Sequence, residues 1–263
     1  MHNKNEILSI GFIKIRGQTG LTSAKQAQTQ SFLVKQEIDI LHLQEINICD
    51  DSFSTCDVIC SSYNIISNNA PSKYGTASLI KTDFIPENVL LDSNGRVIVF
   101  NVGPLTLGNL YLPSGTDSTS KSKREQYLSE TVPKLLLNRL DAGCIGGDLN
   151  CITDRKDCTH NPASKTSLSL TKMVKTFDMK DSYRELYPNN LVYSHYYHSI
   201  QLGEGATRID IRIVETKYEP IAFSDHMAYV VRLSIPSLSA RLFSPRSRPI
   251  FKVKSEVILD KIF

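Results

Sequence analysis

Tryptophan is absent from the 263 residues, which removes one common base-stacking side chain and leaves 11 Tyr and 10 Phe as the large aromatics. Long apolar runs are missing too. None approaches the ~18 residues a membrane-spanning helix needs, so no transmembrane segment is expected. The apolar stretch Ile7 to Ile13 is followed at once by Lys14 and Arg16, with no small-residue cleavage site. It reads as a strand and not as a signal peptide. The expected location is intracellular, nuclear or cytoplasmic, and not secreted. In a reducing compartment Cys49, Cys56, Cys60, Cys144, Cys151 and Cys158 read as free thiols. Charge of one sign is also scarce: 30 Lys+Arg stand against 27 Asp+Glu. Residues 241–263 hold six Lys/Arg and two Asp/Glu, whereas the 240 residues before them hold 24 and 25. The body is near neutral and the basic excess belongs to the tail.

What is present fits a folded protein. A 41% hydrophobic and 22% charged composition excludes wholesale disorder, and the length suits one large domain or two small ones. Apolar, β-branched runs predict strands at Ile7–Ile15, Ile38–Leu43, Tyr63–Ser67, Gly75–Lys81, Arg96–Val102, Leu105–Leu112, Ala142–Ile145, Arg208–Val214 and Met227–Ile235. Helices are predicted over Ser23–Gln36, with Ser23 and Gln26 as a capping pair, and over Lys121–Leu140, with Ser122 and Glu125 as a capping box. Leu170, Met173, Val174 and Phe177 recur at helical spacing. Several strands are apolar on both faces, which predicts a layered α/β sandwich. A domain over 1–236 is expected, with a Ser/Pro/Arg linker-like tail over 237–263.

Polar clusters close several of these strands, where α/β proteins commonly place sites. Glu45 follows Ile38–Leu43 and suits a hard cation or a proton; taken alone, it reads first as a surface glutamate at a strand end. Gly146-Gly147-Asp148-Leu149-Asn150 follows Ala142–Ile145. If the chain stays extended, Asp148 and Asn150 point the same way and could hold a water and a charged oxygen; otherwise this is a capped Gly-Asp turn. Ser224-Asp225-His226 enters a strand and suits metal binding, phosphate-oxygen stabilisation or proton transfer, or else a loop cap. Asp210 could fix a histidine tautomer, or pair with Arg208 across the strand edge. Tyr111, beside Pro113, could donate to a phosphate, or sit in the core. His195 and His198 give only a weak zinc signal. Lys121, Lys123 and Arg124 could touch a DNA backbone, or open a solvated helix.

Taken in order, Leu43-Gln44-Glu45, Asn109-Leu110-Tyr111-Leu112-Pro113, Gly147-Asp148-Leu149-Asn150, Arg208-Ile209-Asp210 and Ser224-Asp225-His226 resemble the endonuclease/exonuclease/phosphatase superfamily. The resemblance runs from about residue 7 to 235. Within the superfamily the chain is most similar to the apurinic-like endonuclease domain of LINE-type (non-LTR) retrotransposons. Asp181-Ser182-Tyr183-Arg184-Glu185-Leu186-Tyr187-Pro188 and the tail through Phe251-Lys252-Val253-Lys254 carry that narrower likeness.

The resemblance implies a four-layer α/β sandwich of the DNase I-like kind. It also implies Mg²⁺-dependent phosphodiester hydrolysis, with Mn²⁺ as a substitute, acting on DNA as a nicking endonuclease. Glu45 would bind the metal, with Asp225 beside it. Asp148 would orient and deprotonate the attacking water, and Asn150 and Tyr111 would hold the phosphate. His226, oriented by Asp210, would stabilise the phosphoryl oxygens. Lys14 and Arg208 would contact DNA. A monomer is expected, once joined to a C-terminal reverse transcriptase that is not in these 263 residues. Two departures predict a degenerate copy with weak or absent activity. Lys14 stands where the family has Asn, and an ammonium cannot ligate a cation. The stretch from Asp210 to Asp225 is short, with Ile211 at a usually polar or aromatic position. The alternatives are a catalytically dead nucleic-acid-binding relic, or another phosphodiesterase or phosphatase of the superfamily. For lipid substrates the chain lacks an apolar membrane-binding run. For phosphoinositides it lacks the Trp-Cys-Asp-Arg pattern of 5-phosphatases.

Overall fold

The computed structural model describes residues 6–15, 23–46, 61–69, 75–115, 117–137, 142–158, 165–190, 206–208, 212–221, 224 and 226–235. Two six-stranded sheets form its centre. The first runs in the order β11 (Arg212–Glu219), β12 (Ala228–Ile235), β1 (Glu6–Lys14), β2 (Ile40–Ile46), β4 (Gly75–Lys81), β3 (Tyr63–Asn68). The second runs β5 (Pro86–Leu91), β6 (Val97–Val102), β7 (Leu105–Tyr111), β8 (Ala142–Asp148), β10 (Ala206–Arg208), β9 (Met179–Asp181). One parallel pair lies inside each sheet, β1 with β2 and β7 with β8, and the other pairings are antiparallel.

Alternation along the strands builds the layers. Leu8, Ile10 and Phe12 of β1 and Ile40 of β2 face Leu105, Leu107 and Cys144 of the second sheet in one core. Ile13, Leu41 and Leu43 point outward onto Phe32 and Leu33 of α1 (Ser23–Lys35). On the far side Leu110 and Ile145 meet Leu128, Val132, Leu136, Leu170 and Met173. These come from the π-helical turn Tyr127–Thr131 and α3 (Val132–Leu136), which continue α2 (Ser118–Gln126), and from α4 (Leu168–Thr176). The result is helix, sheet, sheet, helix, the four-layer sandwich expected.

Three expectations need correction. The helix expected over Lys121–Leu140 begins at Ser118, because Asp117 caps it by accepting the Ser120 N–H at 2.9 Å. Ser122 is therefore inside the helix, and Glu125 accepts the Ser169 N–H at 3.1 Å instead of closing a capping box. The π turn precedes Pro133, whose missing N–H removes one helical bond. The strand expected over Arg208–Val214 is two strands in different sheets, since β10 pairs with β8 and β9 while β11 pairs with β12. Strand β5 was not foreseen. It is an edge strand with a register shift between Glu87 and Leu90, and its Pro-Glu-Asn start masks the pattern. The 237–263 tail, the His195/His198 pair and Cys49, Cys56 and Cys60 lie outside the described residues. Cys144, Cys151 and Cys158 are buried and are not in disulfides. No helix among the described residues is long and apolar enough to cross a membrane.

Candidate active site

The inter-sheet layer is apolar along its length and polar at one end, and that end is where both parallel pairs finish. The inward row of β1 is Leu8, Ile10, Phe12, then Lys14. On β7 the row Leu105, Leu107 continues to Asn109 and Tyr111, and on β8 Cys144 and Gly146 lead to Asp148. Register sets Tyr111 beside Asp148 and Lys14 beside Gln44. Gly146 lets the two sheets close up here, because a Cβ on it would sit 2.7 Å from the Phe12 ring.

Glu45 reaches this end by a different device. Strict alternation would send it outward with Leu41 and Leu43. Instead β2 is irregular against β4 between Gln44 and Ile46, and Glu45 takes φ +56°. A left-handed residue at a bulge re-aims its side chain, at a cost of about 1–3 kcal/mol that the surrounding sheet must offset. The bulge turns Glu45 to Lys14. Asn150 also lies in the left-handed region, at φ +52°. The extended geometry expected from Asp148 to Asn150 is therefore not adopted. The Asn150 N–H donates to Asp148 Oδ1 at 3.2 Å, and its amide Nδ2 donates to Leu112 O at 2.9 Å.

Lys14 is the hub. Its Nζ lies 2.9 Å from Asp148 Oδ2, 3.2 Å from Glu45 Oε2 and 5.7 Å from the centre of the Tyr111 ring. Arg96 covers the same ring, its guanidinium carbon 5.1 Å from the centre, and Nη1 donates to Tyr111 O at 3.1 Å. Burial lowers the Lys14 pKa, but the charges of Asp148 and Glu45 outweigh it and hold the ammonium above its ordinary value. Burial pushes the Asp148 carboxyl up, and Lys14, then His226, outweigh that and hold it below the ordinary range. His226 is thus within electrostatic reach of Asp148. Burial raises the Tyr111 pKa, so its hydroxyl stays protonated at neutral pH.

Other residues support the cluster without being candidates for its chemistry. Ser224 Oγ donates to Lys14 O and accepts the His226 N–H at 3.0 Å, tying the two strand ends together. Gln44 Nε2 donates to Asn109 Oδ1 at 2.8 Å, while Asn109 Nδ2 donates to Leu43 O at 3.1 Å and Ala77 O at 2.8 Å. This neutral bridge joins the sheets directly beneath the charged cluster. Arg124, a candidate DNA contact, is buried instead. It donates to Pro113 O at 2.8 Å and Gly115 O at 3.2 Å, fixing the loop that leaves Tyr111. Lys165 is 8% exposed, and burial, then the Arg124 charge, lower its pKa, while Cys158, Asp148 and Cys151 draw it back. A lone Lys in a Ser/Thr-rich stretch offers no pattern that would have marked it. Asp210 and Asp225 lie outside the described residues, as does the Arg208 side chain.

The described residues do not fit a divalent cation. No group of three or more His, Cys, Asp or Glu among them could hold a metal ion, and the two best-placed carboxylates share an ammonium.

No protein-family model matches the chain, and no curated protein matches it in sequence. Solved structures do match. An AP endonuclease from Archaeoglobus fulgidus superposes with TM-score 0.71 at 19% identity, over 85% of this chain and 98% of that one. A 3′ phosphatase, NExo, from Neisseria, bound to a product DNA hairpin, gives TM-score 0.74 at 17% identity over 87% and 100%. An AP endonuclease, LMAP, from Leishmania major gives 0.70 at 17% identity, over 88% of each chain. The chain has the DNase I-like fold. In this DNase I-like sandwich Lys14, Glu45, Tyr111, Asp148 and His226 gather at one end of the inter-sheet layer, and they come from four of the five motifs and from the end of the first strand.

Proposed function

We propose that the chain is a DNA phosphodiesterase domain of the LINE-type retrotransposon endonuclease kind, with hydrolysis attenuated at Lys14. The observation that carries this reading is the convergence of widely separated motif residues at one end of a DNase I-like core. Two of the similar structures are AP endonucleases, and a third holds a product DNA hairpin.

In this reading the Lys14 ammonium and the protonated Tyr111 hydroxyl meet phosphate oxygens, and His226 adds positive charge as the phosphoryl group gains negative charge. Asp148 is placed to orient a water. Its Oδ2 is engaged by Lys14, which weakens it as a base and accounts for the attenuation. Asn150, already bonded to Leu112 O, stiffens the turn behind it. Asp210, Asp225 and Arg208 keep the roles the resemblance implies. The Mg²⁺ or Mn²⁺ of that resemblance does not fit the described residues while Lys14 is in place. The partners in this reading are DNA and, in a longer polyprotein, a C-terminal reverse transcriptase, with the domain acting as a monomer. The same Lys14 also favours a nucleic-acid-binding relic as the second reading.

Fluorescence anisotropy with a labelled duplex in EDTA tests the DNA assignment. Lys14→Met is expected to weaken binding by roughly tenfold, the scale of one phosphate contact. Tyr111→Phe is expected to weaken it less. A chain with no measurable affinity for DNA at low salt contradicts the proposal.

A further inference from the structure

We propose that the Lys14 ammonium is the resident cation of this centre, so that the site receives a phosphodiester without binding a divalent metal. The inference deepens the functional reading above and rests on it only for the identity of the ligand.

The geometry is that of a filled cation position. Nζ sits between Glu45 Oε2 at 3.2 Å and Asp148 Oδ2 at 2.9 Å, carboxylates from the two different sheets. The three side chains are between 6% and 23% exposed, so solvent screens the pair only in part. The position is set by the inward row of β1 and by the Ser224 hydroxyl on the Lys14 carbonyl, so the ammonium is held from its own backbone. Glu45 is turned to meet it by a left-handed bulge, a cost that fits an interaction the fold is built around. A divalent ion at the same point would face a positive charge at contact distance and would have to displace a covalently tethered competitor. Lysine also brings what an ion brings to phosphate, a compact positive charge, but it supplies no bound water. Such a centre binds phosphate oxygens and lacks a metal-activated water, leaving only the weakened base Asp148.

Titration of Mn²⁺ alone, followed by electron paramagnetic resonance of the free ion, reads this out without reference to activity. The full native chain is expected to show no stoichiometric site up to about 1 mM free Mn²⁺. Lys14→Asn and Lys14→Gln are expected to gain one site, at least about tenfold tighter, that disappears when Glu45→Gln is added. Thermal melts confirm that each variant is folded, and two uncharged replacements guard against one failing. A native chain that binds one Mn²⁺ as tightly as Lys14→Asn overturns the proposal, as do folded variants that gain no site. Duplex binding in EDTA separates the two claims. If no variant binds DNA while the Mn²⁺ pattern holds, the DNA reading fails and the tethered-cation reading stands. If DNA binds and the native chain also takes Mn²⁺, the reverse is true.

Discussion

Asp92, just past β5, and Asp148, at the end of β8, are both buried carboxylates of the second sheet, and their partners differ in kind. Asp92 Oδ1 accepts the Arg96 and Val97 N–H groups, each at 2.7 Å, and Asn68 Nδ2 at 3.0 Å. Its Oδ2 accepts the Asn94 N–H and the Tyr127 hydroxyl, each at 3.1 Å. Those donors are the turn's own N–H groups, Tyr127 of the π-helical turn and Asn68 of β3. Asp148 has one backbone donor, Asn150, and an ammonium on a side chain from the other sheet. The first carboxylate organises a turn and is closed to ligands. The second is neutralised by a group that a ligand can also contact. Both carboxylates are buried, so the kind of partner, neutral donors or an ammonium, marks which one belongs to a site.

The largest expected effect follows from that contrast. Asp92→Ala strands the buried Val97 N–H and the half-buried Arg96 N–H and is expected to cost about 3 kcal/mol in urea unfolding. Asp148→Ala leaves Lys14 still paired with Glu45, so no buried charge is stranded, and is expected to cost at least about 1 kcal/mol less than Asp92→Ala. Equal costs would break the distinction between the two carboxylates.

His42 sharpens the comparison from the neutral side. It is fully buried in the inter-sheet layer, its ring centre 4.9 Å from that of Phe12, with Nδ1 2.8 Å from Ser78 Oγ. Burial pushes its pKa down from 6.5 to about 3. The unfolded chain takes up this proton below pH 6.5 and the folded chain only near pH 3. The stability from this group is therefore intact above pH 6.5 and is lost as pH falls through that window, by up to about 1.4 kcal/mol per unit. His42→Gln is expected to flatten that limb in denaturation curves taken from pH 7 to 4. An unchanged slope would mean that other groups set it.

The smallest expected effect is at Lys165, the second nearly buried ammonium near Asp148. Lys165→Ala is expected to reduce the slope of log affinity against log salt for duplex DNA by about one, leaving stability within about 0.5 kcal/mol. A slope equal to that of the native chain would mean that Lys165 makes no phosphate contact.

Much of the architecture was legible because strand alternation is strong in this chain: Leu8, Ile10 and Phe12 against Ile13 and Leu41 already imply two covered faces. The motif order pointed to the cluster, and Lys14 stood out as the departure. Other features were not legible, for physical reasons. Alternation sends Glu45 the wrong way, and only the bulge at Gln44/Ile46 brings it in. Arg208 and Arg212 read as one strand because a period of two carries no information about which sheet a strand joins. Arg124 reads as a surface charge, yet its partners are carbonyls of a loop whose path no local pattern encodes. Asn109 has no legible role within its motif, since its partners, Gln44, Leu43 and Ala77, come from the opposite sheet.

The central claim is that Lys14 limits the chemistry of an otherwise assembled phosphodiester site. Nicking of supercoiled plasmid in Mg²⁺ tests it most directly, with the native chain, Lys14→Asn and Glu45→Ala run side by side. The account predicts that the native chain nicks at least about tenfold more slowly than Lys14→Asn, the cost of lacking an activated water. Vigorous nicking by the native chain, unchanged or reduced in Lys14→Asn and abolished by Glu45→Ala, would contradict it.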